Sequence, residues 1–226
     1  MVFNSVISRD GRKLMTSTQP LSFMMKPVRF ATDTAYSPDA VDFAALLKKQ
    51  DPLNLNLLTA LRMNATFPYV LPNVWLPTTP VVDAMDAGLR DNYGQETTLR
   101  FIDNFKDWID DNTGGVMIIQ IRDRLKDNWQ QPFETGSVTD IIVKPATMLQ
   151  HNWYKLQDYF QSDQYSYLAD SATTIKRLTF MYVPDKEDKG AALNFHLTAV
   201  EKKDVIASFK KSYNQQLLEE LKSVLK

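Results

Sequence analysis

The sequence predicts an α/β protein, and three adjacent segments carry that prediction. "VVDAM" (81–85) reads as a short buried strand. "ETTLRFIDNFKDWIDDN" (96–112) is amphipathic, with Ile102, Phe105 and Ile109 in one stripe and Asp103, Lys106, Asp107 and Asp110 outward. "VMIIQI" (116–121) is a continuous apolar run of the kind found in the middle of a sheet. Strand, helix and strand in that order form a βαβ-like unit, which argues for α/β layers.

The remaining elements follow in order. "VFNSVIS", Asp10-Gly11 and "RKLMTSTQPLSFMM" read as two strands joined at an Asp-Gly turn. In "SPDAVDFAALLKKQ", Ser37 is placed as a helix N-cap and Pro38 at the first helical position. "DPLNLNLLTALRMNA" repeats the device with Asp51 and Pro52, and Leu57, Leu58 and Leu61 share one face. Four prolines make "TFPYVLPNVWLPTTP" irregular. "ETGSVTD" is loop, and "PATMLQHNWYKLQDYFQ" is a long helix packing Leu149, Trp153, Leu156 and Phe160. "KRLTFMYVP" and "ALNFHL" read as two strands joined by the charged loop "DKEDKG". Thr198 and Glu201 form a capping box that opens a last helix carrying Val205, Phe209, Leu217, Leu221 and Leu225.

Composition narrows the chemistry. A chain of 226 residues can bury a sizeable core, and 44% apolar with 23% charged residues is ordinary for a globular protein. Only 7 glycines occur, so glycine-rich phosphate loops are nearly excluded. With no cysteine there is no thiolate nucleophile, disulfide or zinc ribbon. The net charge of −1 gives no electrostatic footprint for nucleic acid. No run of 18 apolar residues is present, and "MVFNSVISRDGRK" lacks the apolar core of a signal peptide; the compartment stays open.

Motifs for nucleotide, zinc and EF-hand calcium binding are missing. His151 falls on a helix, and His196, in "NFHLT", reads as a core or sheet-edge histidine held by a hydrogen bond. Asp103, Asp107, Asp110 and Asp111 read as a solvated helix face, since Lys106 is interleaved and no turn supplies carbonyl ligands. The aromatic residues Trp108, Trp129, Trp153, Tyr154, Tyr159 and Phe160 read as core. Asp86 differs. An aspartate leaving a buried strand at the carboxyl end of a sheet lies where α/β folds place ligands. Burial there raises its pKa and lets it take a proton from a hydroxyl nucleophile. The same residue also suits a turn-forming aspartate, and both readings stand.

"LLTALRMNATFPYVLPNV" followed by "VVDAMDAGLRDNYG" resembles the second half of a patatin-like phospholipase domain. That family carries an "SA-x-x-P" type segment after a helix, then an apolar strand ending in Asp-Gly-Gly or Asp-Gly-Ala with an Asn-rich turn. Here the first is "NATFP" (64–68) and the second Asp86-Ala87-Gly88 followed by Asp91-Asn92. The opening hairpin resembles the family's "ndGRkL" strand pair, and residues 54–122 match best. The resemblance implies a partial three-layer α/β/α fold, with a mostly parallel central sheet, flanking helices and a C-terminal strand pair plus helix. Residues 1–145 would be the motif-bearing part of the hydrolase domain. Residues 146–226 would be a helix–two-strand–helix extension packed on it.

The resemblance further implies a serine–aspartate acyl hydrolase that cleaves phospholipid or other lipid esters without metal or organic cofactor. Asp86 would be the catalytic base, Gly88 and Asn92 the residues shaping its turn, and Asp83 and Asp91 scaffold. Ala87 replaces the usual first glycine, a change expected to retain the turn. The nucleophile motif G-x-S-x-G and the glycine-rich oxyanion loop are both missing from this sequence. The expectation is therefore the C-terminal portion of a longer enzyme, Met1 entering directly into a strand, with the serine upstream and any membrane contact made by the parent protein. The alternative is a stand-alone relative without catalysis, serving as a binding or scaffold module.

Overall fold

The computed structural model describes residues 1–66, 71–123, 139–169, 174–185, 190–191 and 196–225, with side chains in the third segment described at 153 and from 155 onward. The α/β class holds, with helices on both faces of a main sheet. That sheet contains β1 (Val2–Ile7), β2 (Lys13–Ser17), β3 (Ala40–Asp42), β4 (Val74–Leu76) and β5 (Val82–Asp86), in the order β3-β2-β1-β5-β4.

The Asp10-Gly11 turn forms as expected. Gly11 has φ +74°, a left-handed conformation that glycine adopts without strain, and Arg12 N–H donates to Asp10 Oδ1 at 3.1 Å. β1 and β2 are therefore antiparallel, as are β1–β5 and β4–β5; β2–β3 is the one parallel pair of this sheet. This corrects the expectation of a mostly parallel central sheet. Short connections such as 8–12 and 77–81 cannot make the crossover that parallel pairing requires, whereas the long stretch 18–39 can.

Ser37-Pro38 does not start a helix. The chain pairs with β2 through β3 first, and Asp42 then caps the short helix α1 (Phe43–Leu46), accepting from Ala44 N–H at 2.9 Å. Asp51-Pro52 opens only a 3-10 turn, and Asn56 caps the true helix α2 (Leu57–Asn64). α1 and α2 cover one face of the sheet. Ile7, Leu14, Phe43, Leu47, Met63, Leu76 and Ala84 form the core there. The α2 leucine stripe turns the other way: Leu57, Leu58 and Leu61 are 59%, 72% and 43% exposed, while Ala60 and Met63 face inward.

The amphipathic stretch after the turn is two helices, α3 (Gln95–Asn104) and α4 (Lys106–Asn112), broken at Phe105. Ile102 and Ile109 are buried as the stripe predicts, and Phe105, at the break, is exposed. β6 (Val116–Arg122) does not join β5 as a βαβ unit. It pairs in parallel with β7 (Ile175–Met181) in a separate two-stranded sheet, across the 31-residue helix α5 (Thr139–Ala169). β6 is thus not a mid-sheet strand: Ile118, Gln120 and Arg122 face inward while Ile119 and Ile121 are exposed. Gly115 permits the close start of that pairing, since a Cβ on it would lie 2.5 Å from Thr174 O.

α3 and α5 lie between the two sheets. α5 does not bury the Trp153–Leu156–Phe160 stripe, all three being exposed. Its inward face is polar: Gln157, Asp158 and Gln161. The expected packing of Leu149 and residues 192–195 of the expected strand "ALNFHL" fall outside the described residues, and His196 and Leu197 are not in a strand. His196 is exposed just before α6, not a core histidine. The capping box holds, Thr198 N–H donating to Glu201 Oε2 at 2.7 Å and Glu201 N–H to Thr198 Oγ1 at 3.2 Å. The last helix is two, α6 (Ala199–Phe209) and α7 (Ser212–Val224), both packed on β7. Among the described residues, no helix is long and apolar enough to cross a membrane.

Candidate functional site

Asp86 ends β5 opposite Ser5 of β1, and its backbone N–H donates to Thr66 O at 3.0 Å. Segment 64–66 and the 86–88 turn, distant in sequence, are thereby neighbours. Thr66 is fully buried, and the Asn64 side-chain amide donates to Asn4 O, tying the end of α2 to β1. Residue 67 and Pro68 of "NATFP" lie outside the described residues.

The chain turns directly after Asp86 into a 3-10 segment, Ala87–Leu89. Asp86 Oδ1 accepts from Gly88 N–H at 2.5 Å. Ala87 takes the turn without a positive φ; among the described non-glycine residues only Asp51 has one. A glycine is not needed at position 87. Asp86 is half-buried, and that burial pushes its pKa above the ordinary carboxylate value against the lowering effect of the Gly88 bond. Among the described residues Oδ2 accepts no hydrogen bond, and no serine, threonine or tyrosine hydroxyl reaches Asp86. The nearest candidates in register are spent elsewhere: Ser5 Oγ donates to Leu14 O at 3.4 Å and Thr66 Oγ1 to Arg62 O at 2.5 Å.

Gly88 and Asn92 are both held by α5. Gln157 donates Nε2–H to Gly88 O at 2.8 Å and accepts Asn92 N–H on Oε1 at 3.0 Å. One side chain so clamps both ends of the turn, and Trp153 Nε1–H donates to Leu89 O beside it. Asp91 is the buried anchor. It accepts Glu96 N–H and Thr97 N–H at 2.9 Å each, Thr97 Oγ1–H at 2.8 Å and Gln161 Nε2–H at 3.2 Å. With Asn4 Nδ2–H at 3.5 Å, five donors on one carboxylate fix the start of α3 to β1 and α5. Asp83 sits on the sheet face opposite Asp86 and accepts Asn73 Nδ2–H at 2.6 Å; bonds from Ser8 and Asn73 hold its pKa low.

An ion network braces the hairpin against α3. Lys13, 1% exposed, reaches Glu96 at 2.9 Å; Arg100 clasps Asp39 with both nitrogens at 2.7 Å and Glu96 at 3.1 Å; Arg90 reaches Asp39 at 3.0 Å and Gly11 O at 3.0 Å. Arg90 belongs to the "GLRDNYG" segment, so the network also holds the turn that follows Asp86. Sequence reading missed Gln157, Gln161 and this network. Apart from the Arg100–Glu96 pair within α3, their partners lie tens of residues away, where periodicity carries no signal.

The acidic set Asp103, Asp107, Asp110 and Asp111 is exposed on α3 and α4, and no metal-binding cluster occurs among the described residues. Comparison with protein-family models, curated proteins and solved structures finds no match to this chain.

Proposed function

We propose that this chain is the aspartate-bearing part of a patatin-like lipid acyl hydrolase, with Asp86 as general base for a serine on polypeptide upstream of it. The observation that carries the reading is the state of Asp86. Its carboxylate is half-buried at a strand end, raised in pKa, held by one oxygen and, among the described residues, accepting no bond at the other. A base of that kind takes a proton well in its ionised form and returns it readily. The reaction then runs in two steps. Serine Oγ attacks the ester carbonyl as Asp86 Oδ2 takes its proton; collapse of the tetrahedral intermediate expels the alcohol, which regains that proton. Water, deprotonated by Asp86, next attacks the acyl-enzyme, and the carboxylic acid leaves with serine restored. The exposed leucines of α2, the helix that ends beside Asp86, suit a surface covered by the missing part or by lipid.

One observation favours the non-catalytic alternative: Oδ1 caps the 3-10 turn, which a purely structural aspartate also does. Two results separate the readings. A complete upstream frame should contain G-x-S-x-G, and a serine-reactive phosphonate should label that longer protein while leaving residues 1–226 unlabelled. A complete frame without the motif, or a parent that stays unlabelled, removes the hydrolase reading.

A further inference from the structure

A polar cavity of about 230 Å³ lies against the inner face of the parallel pair β6–β7, beside α5. β6 supplies Arg122, β7 Arg177 and Thr179, α5 Asp158 and Ser162, and α7 Tyr213. Arg122 is 5% exposed and spends its two terminal nitrogens on Asp158, at 2.8 and 2.5 Å. Its Nε–H is buried and has no acceptor among the described residues. Arg177 donates to Gln95 Oε1 at 2.8 Å and lies over the Tyr165 ring at 4.5 Å. It forms no salt bridge among the described residues. Among the described residues lining the cavity, two guanidinium groups thus share one carboxylate, and the buried Nε–H of Arg122 is left without an acceptor. Burial accordingly holds the Arg177 pKa below its ordinary value.

Water satisfies a buried N–H, yet it brings no charge to two guanidinium groups that share one lining carboxylate. We propose that this cavity binds one small oxyanion, a carboxylate or phosphate group, between Arg177 and the Nε–H of Arg122. The hydroxyls of Ser162, Thr179 and Tyr213 line the remaining wall. The site stands apart from Asp86, which ends a strand of the other sheet, so each assignment survives the failure of the other.

Calorimetric titration of the chain with inorganic phosphate, and separately with acetate, at low ionic strength tests it. One saturable site is expected, and the tighter of the two anions names the group. Arg177→Gln should weaken that anion about 10–100-fold, the scale of one lost charge-assisted contact. Lys176→Gln, on the opposite face of β7, should leave it unchanged. In the wild-type chain, the arginine Nε–Hε resonances of Arg122 and Arg177 should shift with anion, a readout independent of whether the variant folds. Failure of both anions to bind saturably, wild-type affinity in Arg177→Gln, or stationary Nε resonances would each overturn the proposal.

Discussion

Gln157→Leu tests how the Asp86 turn is held. The substitution keeps a side chain of similar size on α5 but strips the donor to Gly88 O and the acceptor for Asn92 N–H. Gly88 is buried, so its carbonyl is left without water or partner, at a cost of about 1–3 kcal/mol. Asn92 is only half-buried and recovers part of its loss from solvent. The sum is about 2–4 kcal/mol, a large share of a domain's stability. Gln157→Glu keeps the acceptor and loses the donor, and should fall between. Gln164→Leu, one exposed position on the same helix, is the control and should stay within about 0.5 kcal/mol of wild type. Urea unfolding at neutral pH reads the difference as a shift in midpoint at constant slope. Loosening the turn should also hydrate Asp86 and bring its pKa back toward the ordinary carboxylate value, measurable by NMR titration. A Gln157→Leu midpoint equal to that of Gln164→Leu would refute the clamp.

Other outcomes follow from the same contacts. Asp86 has a folded pKa above its unfolded one, so its favourable contribution is complete below the unfolded pKa of about 3.8 and is lost as pH rises through the folded pKa. Asp86→Asn should therefore be more stable than wild type at pH 7, with the gap closing in acid; a gap that widens in acid contradicts the burial argument. Asp39 runs the other way: burial pushes its pKa up, but the Arg100 bonds and charge outweigh that and hold it low. Its stabilisation is present above the unfolded pKa and lost as pH falls through the folded one, so Asp39→Asn should cost about 2–4 kcal/mol at pH 7 and progressively less below pH 4 in chemical unfolding. Leu57→Ser with Leu58→Ser should cost within about 1 kcal/mol, because both side chains are already exposed, and should reduce any self-association seen by light scattering. Unchanged association would place the sticky surface elsewhere.

Local chemistry was the legible part of this chain. Asp10-Gly11 and the Thr198–Glu201 box act within five residues of themselves, and both formed as read. Asp86 was correctly placed at a strand end for the same reason. Direction was not legible: helical spacing marks Leu57, Leu58 and Leu61, or Trp153, Leu156 and Phe160, as a stripe, but does not say which way the stripe points. On α5 the inward side is set by Gln157, Asp158 and Gln161, whose partners Gly88, Arg122 and Asp91 lie far off in sequence. Ser37-Pro38 failed as a helix start because pairing of Ala40–Asp42 with β2 overrides a local cap. Strand direction was misread because the adjacency of 81–85 and 116–121 in sequence hid their assignment to different sheets.

The most direct test of Asp86 as a base is ester turnover by the polypeptide encoded by the whole reading frame, wild type against Asp86→Asn, at matched folded content. Loss of a general base predicts a fall in kcat of about 10²–10⁴-fold, with the variant still folded and still able to bind substrate. An Asp86→Asn protein that turns over ester at the wild-type rate would remove Asp86 from the chemistry and leave it a turn residue.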